Sequence, residues 1–114
     1  MRDAESAETA ALDCESMAQV RAEIDRIDRL LVQLMAERQG YIEAAARIKD
    51  HVSEVRLEWR IDDVISKVLI AAEREGLSPE IAEPVWRALI DRCIAHEFKC
   101  WHGLRQREEA KRAS

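Results

Sequence analysis

Glycine and proline are scarce in this chain: three and two in 114 residues. Aromatic side chains make up 4%. So little turn-forming and β-favouring chemistry argues against a sheet protein, and one small core is all that the length supports. Three cysteines, Cys14, Cys93 and Cys100, are too few and too unevenly spaced for a disulfide framework, which points to a reducing compartment. No apolar run approaches the roughly 20 residues of a membrane span. The start, MRDAESAETAALDCES, lacks the apolar stretch of a signal peptide. A cytoplasmic protein with no membrane partner is expected. There is no excess of positive charge either. Lys and Arg number 18 against 23 Asp and Glu, a net charge of -5, which is a poor basis for neutralising nucleic-acid phosphates.

What is abundant is Ala, Leu, Ile, Glu and Arg, arranged with helical period. Residues 1–15 read as a disordered leader, and Ser16 suits an N-cap. An apolar stripe then runs through Val20, Ile24, Ile27, Leu31, Leu34, Tyr41, Ala45 and Ile48 in steps of three and four. That heptad seam predicts one helix from about residue 17 to 49, roughly 48 Å long. A stripe of that length cannot be buried by one small chain and calls for a partner helix, as from a second copy. A second helix is expected from near Leu57, with Ile61, Val64, Ile65, Val68, Leu69 and Ala72 inward, stopping at Gly76. Ser78-Pro79 opens a third, with Val85, Trp86, Leu89, Ile90, Ile94, Phe98 and Trp101 on its apolar side. From Arg105 the chain is charged and is expected to fray. The domain is therefore 16–104, followed by a tail of 105–114, in an all-α architecture of three helices.

Several charges sit where the seams require apolar residues. Arg38 fills the gap between Leu34 and Tyr41. A buried cation needs an anion, and a guanidinium grips a carboxylate with both arms. Alternatively it snorkels to solvent or pairs with a structural Glu. Lys49 lies three turns on, within about 20° of the same face and ~16 Å away along the axis. The two can hold a small anion between them, although a helix-end lysine is also favoured by the dipole alone. Arg21 flanks the seam about 25 Å from Arg38, so it can serve the same ligand only from a second chain. Its plain alternative is a surface pair with Asp25. Glu97 shares a face with Trp86, Ile90 and Trp101. Burial there disfavours its charged form and makes the carboxyl a hydrogen-bond donor, unless Arg38 or Lys49 pairs with it. Cys93, His96 and Cys100 share one side of the third helix. Three ligands at that spacing are strained and no further metal motif accompanies them, so no metal and no other cofactor is expected.

The block VRAEIDRIDRLLVQLMAERQGYIEAAARIK resembles the first helix of the all-α, AroQ-type chorismate mutases, and especially the branch that includes isochorismate-pyruvate lyase. That branch reads IRxxIDxID, then RR near a Tyr, then RxK. The stretch IAHEFKCW resembles its IAxQxKYW end, and the likeness spans about residues 17–103. The resemblance implies an intertwined homodimer in which Arg38, Lys49 and Arg60 of one chain bind the carboxylates and ether oxygen of chorismate, with Arg21 entering from the other. Arg60, in LEWRIDD, reads as a surface residue without that likeness. The family's glutamine falls on Glu97, and Cys93 takes the place of a small polar pocket residue. The implied reaction is the pericyclic rearrangement of chorismate to prephenate, with Lys49 and Glu97 flanking the breaking ether oxygen. The same pocket supports pyruvate elimination from isochorismate, giving salicylate. Two departures stand out: Glu replaces Gln at 97, and Leu57 and Ile61 stand where typical mutases carry carboxylates. A non-catalytic dimeric regulatory protein on the same fold is the remaining alternative.

Overall fold

The computed structural model describes residues 8–113, and among them every regular element is helical. Helix α1 spans Met17–Ile48, α2 Glu58–Glu75 and α3 Pro79–Ala113. Short 3₁₀ turns lie at Ala11–Asp13 and Val52–Glu54. Residues 1–7 of the expected leader fall outside the described chain. The chain divides into two compact units, residues 1–38 and 39–114.

In the first unit the start of α1 is set by local chemistry. Ser16 Oγ accepts the Gln19 N–H at 3.2 Å, satisfying a donor that the first turn cannot use internally. Arg26 pairs with Glu23 at 2.9 Å and with Glu8 at 3.3 Å, which ties the preceding segment to the helix. The seam residues Ile24, Ile27, Leu31 and Leu34 are all exposed.

The second unit holds the core. Ile61 and Ile65 of α2 meet Ile90 of α3, with Val64, Leu69, Trp86 and Ile94 packed around them. These are the positions that period 3.6 assigns to the inner faces, apart from Val85, which is exposed. Ala46 and Ala82 are fully buried. Helix α2 ends at Gly76, whose φ of 78° is left-handed; the Leu77 N–H then reaches the Ala72 carbonyl at 2.8 Å. Pro79 occupies the first position of α3, where its missing N–H costs nothing. Pro84 lies five residues further in and deprives the Glu80 carbonyl of its usual donor.

The residues after Arg105 do not fray. They continue α3 to Ala113, and Arg105 is bonded to the Ala46 carbonyl.

Candidate active site

Helix α1 stops at Ile48, and the last carbonyls of any helix lack internal donors. Here α3 supplies them. Trp101 donates its indole Nε1–H to the Lys49 carbonyl at 2.9 Å. Arg105 donates through Nη1 to the Ala46 carbonyl at 2.9 Å and through Nη2 to the Lys49 carbonyl. Its guanidinium also lies 4.4 Å from the centre of the Trp101 ring. This two-residue clamp fixes where the backbone of Lys49 stands.

The Lys49 side chain, thus positioned, reaches Glu97. Nζ lies 2.8 Å from Oε2, with the carboxylate side chain only 5% exposed and the lysine 24%. Glu97 is the one buried charged residue among those described, in the side-chain row that also carries Ile90 and Trp101. Oε2 has the ammonium close by but no hydrogen bond of good direction, so its partner is a charge rather than a fitted donor. Of the alternatives left open for Glu97, the structure shows pairing with Lys49.

The other expected residues are distributed as follows. Cys93, one turn before Glu97 on α3, is half-buried and not without a partner. Arg60, in the first turn of α2, is exposed and donates to Asp63 Oδ2 at 2.7 Å. Asp63 also accepts from Lys67 at 2.9 Å; the hydrogen bonds from Lys67 and then Arg60 hold its carboxyl below the usual range. Arg21 and Arg38 belong to the first unit. Arg21 is exposed; Arg38 is half-buried among exposed neighbours and is also engaged. The structure thus brings Lys49 and Glu97 into contact. Ile61 is buried in the core and Leu57 is the N-cap residue of α2, so neither position offers a carboxylate to a ligand.

Trp101 and Arg105 are the positioning residues that the sequence reading missed. A signal was present: Glu97, Trp101 and Arg105 recur every four residues and so share a face with the buried carboxylate. A second unforeseen contact joins Glu43 of α1 to His96 of α3, Oε2 to Nε2, at 2.7 Å. The hydrogen bond from His96, followed by that from Gln39, holds the Glu43 carboxyl below its ordinary range. Cys100 Sγ lies 3.5 Å from the same ring nitrogen. The helix side expected to carry Cys93, His96 and Cys100 therefore assembles Glu43, His96 and Cys100 instead.

Comparison with known proteins bears on this pair of charges. A sequence model of the family described as chorismate mutase type II matches residues 20–98. The chain is also 31% identical, over 93 residues, to an isochorismate pyruvate lyase of Pseudomonas aeruginosa; the aligned region covers 82% of this chain and 92% of that protein.

Proposed function

Because the chain belongs to the type II chorismate mutase family, we propose that it converts chorismate to prephenate in a pocket built around Lys49 and Glu97. Mutase activity fits the family. The observation that carries the assignment to this site is the 2.8 Å contact between Lys49 Nζ and the buried Glu97 carboxylate. A pericyclic rearrangement needs no nucleophile. It needs the enolpyruvyl arm held over the ring and a donor at the ether oxygen, where negative charge grows as the C–O bond breaks. Lys49 supplies an N–H to that oxygen. Glu97 flanks the same oxygen and holds the Lys49 ammonium in place beside it. Arg60 takes a substrate carboxylate, leaving Asp63 to do so, and Cys93 lines the pocket; a carboxylate-binding role for Arg38 rests on the family resemblance alone.

Arg21 comes from a second copy in this reading, which makes the active species a homodimer. The exposed stripe Ile24, Ile27, Leu31 and Leu34 supports that assembly, since such a face on a lone chain leaves a long apolar strip in water. The catalytic domain is 16–104. Among the described residues no helix is long and apolar enough to cross a membrane; the cytoplasmic setting rests on the sparse, uneven cysteine usage of the sequence.

A second reading is elimination of pyruvate from isochorismate. The 31% identity to an isochorismate pyruvate lyase supports it, as does apolar Ile61 at a position where typical mutases carry a carboxylate. Incubating the purified protein with each substrate in turn decides the matter. Prephenate from chorismate supports the first reading. Salicylate and pyruvate from isochorismate, without prephenate, support the second. Binding of neither compound returns the chain to the non-catalytic regulatory reading.

A further inference from the structure

Away from the Lys49–Glu97 pair, α1 and α3 enclose an open groove of about 840 Å³ whose lining includes Glu43, Arg47, His96, Lys99, Cys100 and His102. Within it Glu43, His96 and Cys100 present one ligand atom each, all within 4.8 Å of one another. Glu43 Oε2 and Cys100 Sγ both address His96 Nε2, at 2.7 and 3.5 Å. A Cys–His–Glu catalytic triad requires the acid and the thiol on opposite ring nitrogens. Two acceptors converging on one nitrogen exclude that arrangement. Three potential ligand atoms instead converge from two helices.

We propose that Glu43, His96 and Cys100 bind a zinc-class divalent cation, with a solvent molecule as fourth ligand. Zinc bonds of about 2.0–2.3 Å place tetrahedral ligand atoms about 3.3–3.6 Å apart. The nitrogen–sulfur separation already matches; the exposed Glu43 carboxylate must move back from His96 by about 0.6 Å, and its oxygen, within 4.8 Å of the sulfur, must settle at the same spacing from it. His96 and Cys100 stand at i and i+4 on α3, so one helix face delivers both, while α1 delivers the third. Gln39 donates to Glu43 Oε2 at 3.1 Å and orients the carboxylate from outside. Carboxylate, thiolate and neutral imidazole together carry the two negative charges that balance a divalent ion. Loading releases the thiol proton and leaves Nε2 unprotonated. The openness of the groove leaves the fourth position to water, and Cys93 and Cys14 take no part. The ion would pin α1 to α3 beside the catalytic pair, since His96 adjoins Glu97.

Equilibrium dialysis of the full chain against zinc tests this. One zinc per chain is expected, with roughly 10–100-fold weaker binding or more in His96→Ala and Cys100→Ser, and a similar direction in Glu43→Gln. The doubly substituted Cys14→Ser/Cys93→Ser protein should bind as the parent does. Two measurements on the unaltered chain guard against variants that fail to fold. Cobalt should give a thiolate charge-transfer band, and zinc should protect Cys100, but not Cys14 or Cys93, from alkylation read by mass spectrometry. Absence of zinc binding, protection of a different cysteine, or affinity unchanged by His96→Ala and Cys100→Ser overturns the proposal. None of these readouts depends on mutase activity, so the site stands or falls apart from the function assigned above.

Discussion

Replacing Arg105 with methionine removes the guanidinium that closes the end of α1 while keeping most of the aliphatic stem. Two contacts to backbone carbonyls are lost, to Ala46 and to Lys49, together with the stacking on Trp101. A hydrogen bond from a charged donor contributes about 1.5–3 kcal/mol when partly buried. The Ala46 bond should count near the low end, because water can reach a half-buried helix terminus. The Lys49 bond should count for less, because Trp101 still serves that carbonyl. With about 0.5–1 kcal/mol for the cation over the ring, the expected loss is about 2–3 kcal/mol. Trp101→Phe deletes only the indole donor, at about 1 kcal/mol. The two losses should not add, since both residues act on one carbonyl and stack on each other. Urea denaturation at matched protein concentration measures both, and the double variant measures the coupling. Catalysis should fall several-fold in Arg105→Met as the Lys49 backbone loosens. A loss below about 0.5 kcal/mol, or strict additivity, would refute the clamp as the device that positions Lys49.

Lys49→Met should reduce kcat/KM by about 10²–10³-fold, the usual cost of one donor to a developing oxyanion, and destabilise the chain by stranding the buried Glu97 carboxylate. Glu97→Leu leaves Lys49 without its partner and should lower kcat/KM by about 10²-fold; an unchanged kcat/KM would remove Glu97 from the ether oxygen. Glu43, held low by His96 and Gln39, lends stability that is present above the ordinary carboxylate range and lost as pH falls through its depressed value. Acid titration of stability in His96→Ala should therefore be flatter than in the parent. Gly76→Ala should cost about 1 kcal/mol in urea unfolding, entirely from the left-handed backbone, because no heavy atom lies within 4 Å of the added Cβ.

Local rules carried much of this structure. The stripe from Val20 to Ile48, the cap at Ser16, the stop at Gly76 and the start at Pro79 each depend on neighbours within a turn, and each is visible in the chain itself. Glu97 was legible as a charge on an apolar face, but nothing local could choose between Lys49 and Arg38 as its partner. Contacts such as Arg105 to Ala46 and Glu43 to His96 join residues more than 50 positions apart. Only the packing of α3 against the end of α1 creates them, which is why Arg105 read as the start of a loose tail. Arg60 has the reverse history. Its residue-level reading, a surface cation, agrees with its exposure and its bond to Asp63, while its binding role rests on family likeness.

The apolar face of α1 has a kinetic consequence. In the paired form proposed above, no chain on its own holds a complete set of substrate ligands, so the concentration of working sites depends on the square of the free-chain concentration. Specific activity should then fall on dilution and recover with time after mixing, and newly made chains should become active with second-order kinetics. Until two such chains meet, Ile24, Ile27, Leu31 and Leu34 present the same sticky strip to any other surface. Assembly must therefore outrun aggregation.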